Sequence, residues 1–512
     1  MPAIVLSTFN AKYIHPSLGL RYLLVNLGPL EGDATLMEFD LAQRPVEAAE
    51  SILAHEPKIV GVGVYIWNVE LATELVFLLK SIKPELIVVV GGPEVSYEIE
   101  SQAICQRADY VVVGEGELAF RDLCQALLQN KRPVPRIWQT KPLHLASLQL
   151  PYRYYSAKDI AERLVYVEAS RGCPFGCEFC LSSLDRGVRN FPLGSFLSAM
   201  DELLERGAKR FKFIDRSFGL ETDTACQILN FFLRRWRAGL CLHFEMFPDR
   251  LSVELAQLLK RFPPAAVQLE IGIQTFNEAV NRRIGRRQDK AKVKENLQRL
   301  RRECGVHIHA DLVMGLPGED IDSLAASFDE LLALEPQEIQ LGVLKRLRGT
   351  SISRHDKEWG MVYNPAPPYD ILCNKQIDFP TMQRLKRMAR YWDLVANSGN
   401  FLSSVPRILQ GDNSPFRAFL RFSDWLFEHT AATHAIALPR LSRLVGRYLM
   451  QVLGYDQKSA QECLNKDCAY SGRKQLLNLD LNSQVSNSTV PRTAHINLRQ
   501  QRHSRRCLSA AP

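Results

Sequence analysis

Three of the chain's twelve cysteines are spaced to act together. The run Cys173-Pro174-Phe175-Gly176-Cys177-Glu178-Phe179-Cys180 sets three thiols at x3 and x2 spacing, close enough to converge on one metal centre. Thiolates are the usual ligands of iron–sulfur clusters, and a cubane cluster normally takes four. The fourth local thiol is absent here. A cluster held by this trio would leave one iron open, the logic by which catalytic zinc sites keep an exchangeable position. Gly172 and Gly176 permit the tight loop that such a cluster needs. Two other readings stay open at this level. Zinc favours paired CxxC units or Cys/His sets, and no histidine lies near this loop; a chance grouping of buried thiols is the third. The remaining nine cysteines are scattered and read as reduced, packed thiols. Cys463-x4-Cys468 offers too few ligands for a second cluster.

Around this loop the sequence supplies elements that can position it. Up to about residue 130 short apolar runs (Ala3–Ser7, Lys58–Tyr65, Leu86–Val90, Tyr110–Val113) alternate with helical stretches such as Asn68–Ile82. That alternation predicts an open, doubly wound, Rossmann-like parallel sheet. Two of its strands end in glycine turns, Gly91-Gly92-Pro93-Glu94 and Gly114-Glu115-Gly116-Glu117. Ligands bind beyond the carboxyl ends of such strands, where side-chain-free turns allow close approach. The stretch 131–160, with four prolines, reads as a linker. From Leu164 the alternation resumes. Candidate strands are Leu164–Ala169, Arg210–Ile214, Leu242–Phe247, Val267–Ile271, Val306–Val313 and Glu338–Leu344. Helices are expected over Gly194–Arg206, Asp223–Arg237, Ser252–Arg261, Lys290–Glu303 and Ile321–Leu334. Six strands so spaced over 161–363 suggest a partial (β/α)6 barrel with reactive groups on the loops after the strand ends. The cysteine loop follows the first of them. Residues 364–470 read as a helical region, with helices over Arg407–Thr430 and Ala437–Leu453, the latter packed with its basic face in solvent.

Composition bounds the rest. A chain of 512 residues, 46% hydrophobic and 23% charged, can bury several cores. No apolar run reaches the roughly 18 residues of a membrane span. The opening Met1-Pro2-Ala3-Ile4-Val5-Leu6 lacks the basic region of a secretory signal, so a cytoplasmic protein is expected. Of the net charge of +8, all but two charges lie from Ser471 onward, where seven Lys/Arg face Asp480 alone. That 471–512 stretch reads as a basic disordered tail, and neither membrane nor nucleic acid is an expected partner.

With these residues in view, the loop Cys173-x3-Cys177-x2-Cys180, with Phe179 before the last cysteine, resembles the signature of radical S-adenosylmethionine (SAM) enzymes. The resemblance runs over roughly Leu164–Gly349. The N-terminal part resembles the cobalamin-binding domain of the B12-dependent branch of that superfamily. Asn10-Ala11-Lys12-Tyr13-Ile14-His15, Val64-Tyr65-Ile66-Trp67-Asn68, Gly91-Gly92-Pro93-Glu94-Val95 and the helical C-terminal region are similar to a subgroup whose C-terminal part is a domain of unknown function.

The resemblance implies that Cys173, Cys177 and Cys180 hold a [4Fe–4S] cluster whose open iron takes the amino and carboxylate groups of SAM. Reductive cleavage then gives methionine and a 5′-deoxyadenosyl radical. It implies SAM contacts from Phe179, Asp215, Glu245, Glu270, Gln274 and Gly315, and corrinoid contacts from Gly91, Gly92, Gly114 and Gly116. Glu178 is expected in solvent, and Glu319 at a helix N-terminus. The Asp-x-His-x-x-Gly motif of many corrinoid domains is not met, since Tyr13 stands where Asp would precede His15. His15 is then expected to be structural or to touch the corrin rim. The family further implies a low-potential donor such as flavodoxin or ferredoxin, and methyl transfer or radical rearrangement on a substrate that the sequence does not name. Competing readings are a methylthiotransferase-like enzyme, against which only Cys105 and Cys124 precede the loop, and a non-catalytic corrinoid or redox sensor.

Overall fold

The structure, a computed structural model, describes residues 1–472. The expectation of a basic disordered tail therefore falls, but for its first two residues, outside the described residues. The chain forms two compact units: Met1–Glu245 with Lys345–Arg354 and Tyr363–Asp370, and Met246–Leu344 with His355–Val362 and the chain from Ile371 on.

The first unit opens with strands β1 (Ile4–Asn10), β2 (Ala34–Asp40), β3 (Ile59–Gly63), β4 (Ile87–Gly91), β5 (Tyr110–Val113) and β6 (Ile137–Gln139). They form one sheet in the order β2-β1-β3-β4-β5-β6, every pair parallel. The strands are nearly continuous apolar runs because both faces are covered. Val5, Phe9, Val60, Val62, Val88, Val90 and Val111 feed one core. Ile4, Leu6, Ile59, Val89, Tyr110 and Val112 feed the other, together with Leu20, Leu24, Phe120 and Leu123 from helices Leu18–Val25 and Glu117–Leu128. This is the doubly wound sheet that the alternation predicts. Two strands escape the sequence reading. β2 is an edge strand, mostly half-buried, and β6 is three residues long and lies within the proline-rich stretch read as a linker.

The first unit continues with β7 (Val165–Val167), the short pair β8 (Ser170–Arg171) and β9 (Arg189–Asn190), β10 (Arg210–Phe213) and β11 (Cys241–Met246). β10 pairs in parallel with β7 and with β11, and β8 pairs antiparallel with β9. The second unit holds β12 (Val267–Gln274), β13 (His307–Met314) and β14 (Glu338–Val343), also parallel in sequence order. All six strands read for the barrel are therefore present. β10 to β13 alternate over most of their length: Phe211, Phe213, Leu242, Phe244, Leu269, Ile271, Ile308 and Ala310 are buried, whereas Lys212, His243, Glu245, Glu270, His309 and Asp311 are half-buried.

The C-terminal region is helical: Phe379–Val395, Ser404–Leu409, Pro415–Thr430, Leu438–Gln451 and Gln457–Ser471. Aromatic contacts knit it to the helix Ile321–Leu332, with Phe328 edge-on to Trp392 and Phe416. The single helix read over Arg407–Thr430 is two, because Ser414 caps a new one with Pro415 in its first turn. Among the described residues no helix is long and apolar enough to cross a membrane.

Candidate functional site

The cysteine loop leaves β8 and returns to β9. Their register sets Ser170 beside Asn190 and Arg171 beside Arg189, so the segment 172–188 is closed at its base. Gly172 sits at φ +90°, a backbone state natural to glycine, and a Cβ there would overlap the Gly187 carbonyl oxygen. The Cys173 N–H donates to the Asp185 carbonyl at 2.9 Å and the Cys180 N–H to the Cys177 carbonyl at 3.1 Å. Ser183 returns its N–H and hydroxyl to the Cys180 carbonyl. Cys173 and Cys177 are buried, and Cys180 and Phe179 are half-buried. Among the described residues no three His, Cys, Asp or Glu side chains are grouped to hold a metal ion. A cubane takes each thiolate on a different iron, and the pinned loop offers three cysteines, two of them buried, for that role.

Glu178 corrects the sequence reading. It is buried and paired with Arg354 at 2.5 Å. A partner so far along the chain leaves no local signal.

Asp215, after β10, is 3% exposed and accepts the Ala169 N–H at 3.1 Å and the Ser170 hydroxyl at 2.6 Å. Burial, against the pull of those hydrogen bonds, pushes its carboxyl up to about 6. A small cavity of about 30 Å³ is lined by Ala169, Ser170, Asp215 and Ser217. Glu245, at the end of β11, is held by Arg216 at 2.8 and 2.9 Å. The first unit therefore brings Cys173, Cys177, Cys180, Phe179, Asp215 and Glu245 onto consecutive strand ends.

The other three predicted SAM residues belong to the second unit. Glu270 and Gln274 are half-buried on β12. Gln274 has φ +71° beside a register shift between Gly272 and Gln274, strain of the kind that functional positions retain. Gly315, at φ +86°, follows β13; a Cβ there would crowd Ile371 and Met382, so packing alone accounts for the glycine. The register aligns Glu270 with His309, and His309 with Glu338. His309 lies 2.9 Å from Asp311. Burial pulls its pKa down, but Asp311 and Glu338 outweigh that and hold it at about 10. His309 was missed, although its period-2 spacing from Asp311 was a usable signal. Glu319 does stand at a helix N-terminus, one residue before the cap. Asp320 caps the helix, while Glu319 is fully buried against Thr275 and Ser323, and burial pushes it up to about 7.

Beyond the carboxyl ends of β3, β4 and β5 lies a cavity of about 170 Å³. The predicted Gly91, Gly92, Gly114 and Gly116 line it, and so do Gly19, Gly61 and Gly63. The last two were missed, although Gly61-Val62-Gly63 places both on one face of β3. The result is a largely apolar trough whose wall includes these seven glycines, beside the strand ends where such sheets take nucleotide-like ligands. Its rim carries Glu115, Glu117 and Arg171. His15 does not line this trough. It bonds the Tyr166 hydroxyl through Nδ1 at 2.8 Å, and burial with Lys212 and Lys12 lowers its pKa to about 4.

Three family models match the chain: a B12 binding domain over residues 5–124, the radical SAM superfamily over 167–331, and a protein of unknown function, DUF4080, over 357–511. The corrinoid-type trough lies in the region that matches the B12 binding domain, and the cysteine loop in the region that matches the radical SAM superfamily. The helical C-terminal region falls within the DUF4080 match. The chain is 31% identical over 240 residues to an uncharacterized methyltransferase, PH0819, of Pyrococcus horikoshii, covering 42% of this chain and 51% of that protein. It is 28% identical over 165 residues to the ribosomal protein uS12 methylthiotransferase RimO of Citrifermentans bemidjiense, covering 31% of this chain and 37% of that one. The chain thus spans about half, or less, of these relatives. Among solved structures it shares the fold of the radical SAM methyltransferase TsrM from Kitasatospora setae with cobalamin and a [4Fe–4S] cluster bound, at TM-score 0.61 and 16% identity, over 92% of this chain and all of that one.

Proposed function

We propose that the protein cleaves SAM reductively at a [4Fe–4S] cluster held by Cys173, Cys177 and Cys180, and uses cobalamin for methyl transfer or radical rearrangement on a substrate to be identified. The observation that carries this is the cysteine loop itself: three cysteines after a barrel-type strand, with backbone closure that only glycine allows at 172. When bound, the cluster supplies a low-potential electron and cobalamin a transferable methyl group. The chain's own residues bind and orient. Phe179 offers an apolar face to an adenine ring. Asp215 and Glu245 present carboxylates to an ammonium, and Glu270 and Gln274 suit ribose hydroxyls. Gly315 offers backbone, and Gly91, Gly92, Gly114 and Gly116 make room for the corrinoid's nucleotide tail. Domain limits of 1–130, 161–363 and 364–470, with a linker at 131–160, follow the same reading, and flavodoxin or ferredoxin is the expected type of donor.

The methylthiotransferase reading is the weaker one. It asks for three further cluster cysteines ahead of the loop, whereas Cys105 and Cys124 are both buried in the cores of the first sheet, where burial raises their thiol pKa values. The test is anaerobic reconstitution with SAM and a reductant. The proposal expects 5′-deoxyadenosine from the wild type and none from Cys177→Ala. A fully loaded cluster that yields none would refute it.

A further inference from the structure

The corrinoid trough and the cysteine loop share a set of charges that the proposed activity does not use. Arg171, two residues before Cys173, lines the trough. Its guanidinium lies 2.8 Å from Glu117, 2.8 Å from Glu168 and 3.6 Å from Glu115, and stacks over Tyr22. Arg189, its register partner at the other foot of the loop, holds Glu115 at 2.6 Å and Asp185 at 2.6 Å. Asp185 in turn accepts the Cys173 N–H at its carbonyl. Glu115 and Glu117 belong to the turn after β5 whose glycines wall the trough. Glu117 lines the trough and holds Arg171 at 2.8 Å, so the part of Glu117 that borders the trough is where an N–H or O–H of a bound corrinoid would engage it.

From this geometry we infer that Arg171 is a positioning residue that couples corrinoid binding to the cluster loop. The inference rests on the proposed corrinoid reading. A ligand that engages Glu117 fixes the carboxylate that holds Arg171. Arg171 and Arg189 then fix both feet of the loop that carries the cysteines. By linkage the effect is reciprocal: a loaded cluster, by ordering the loop, tightens the trough for the corrinoid. A buried guanidinium shared among three carboxylates suits this role, because its planar fork fixes direction as well as charge.

The test uses the full-length protein and hydroxocobalamin, with dissociation constants measured by equilibrium dialysis on iron-stripped and reconstituted samples. The wild type should bind about tenfold tighter when the cluster is present, within the usual range of coupling. Arg171→Met should bring that ratio close to one, and Arg171→Lys should recover part of it. Glu117→Gln keeps volume and fold-critical packing, so it reads the coupling even where Arg171→Met fails to fold; its ratio should also fall. A wild-type ratio of one, or an unchanged ratio in Glu117→Gln, would overturn the coupling alone. No cobalamin binding in either state would overturn the corrinoid reading and the coupling together.

Discussion

Gly172 and Gly176 flank the first cysteines and look alike in sequence, yet the structure gives them different work. At Gly172 a Cβ would meet backbone in a left-handed conformation, whereas at Gly176 its nearest neighbour is the Arg186 side chain at 3.7 Å. Gly172→Ala, strained by about 1 kcal/mol before the overlap is counted, should retain little iron on reconstitution, and Gly176→Ala should retain most of it. Iron and sulfide analysis distinguishes the two; equal loading would contradict the loop geometry. Asp215 carries a second residue-scale consequence. Its folded pKa of about 6 lies above the ordinary aspartate value near 3.9. Its protonated form therefore favours folding, fully below about pH 4, and that contribution is lost as pH rises through 6. Asp215→Asn removes the titration, so between pH 4 and 7 the variant should gain roughly 2–3 kcal/mol relative to the wild type, read from urea unfolding at both pH values. Parallel pH profiles would contradict it. The thiols and their glycines were legible because spacing in sequence is spacing in a loop. The Glu178–Arg354 pair was not, since its partner is brought in by tertiary packing.

At the scale of elements, β3 shows how an unremarked pattern builds a wall. Gly61 and Gly63 face one way, and Gly63 has room, its nearest contacts being Leu20 and Thr8 side chains at 3.4 and 3.5 Å. Gly63→Ala should therefore fold, take up part of the trough and weaken cobalamin binding about tenfold, the loss expected when roughly 1.4 kcal/mol of contact is displaced; unchanged affinity would remove β3 from the site. On β12, Gln274 holds a left-handed backbone. Gln274→Gly should relieve about 1 kcal/mol of strain and raise the melting temperature while weakening SAM binding, a trade expected of a strained functional position. A variant that loses both would mark Gln274 as structural. The six barrel-type strands were legible because apolar runs recur between helix-length stretches. Periodicity missed β2, whose edge position leaves a mixed pattern, and β6, too short to carry a period. The break at Pro415 was signalled by Ser414-Pro415, a cap followed by a first-turn proline, which outweighs apolar spacing carried across it.

Across the whole molecule, charge and thiols are distributed unevenly, and that unevenness separates function from scaffold. All but two of the surplus positive charges lie from Ser471 onward, and of the scattered thiols Cys105, Cys124, Cys463 and Cys468 are buried, Cys463 beside Ser404 and Arg407. Among the described residues, cysteines 173, 177 and 180 alone combine clustering with a glycine-pinned loop. What most directly tests the account is the electron paramagnetic resonance spectrum of the reduced, reconstituted protein, taken at low temperature with and without SAM. The account predicts about four irons per chain, a reduced-cluster signal whose g-values shift when SAM is added, and loss of both in Cys180→Ala. A fully loaded cluster with a spectrum indifferent to SAM would contradict it.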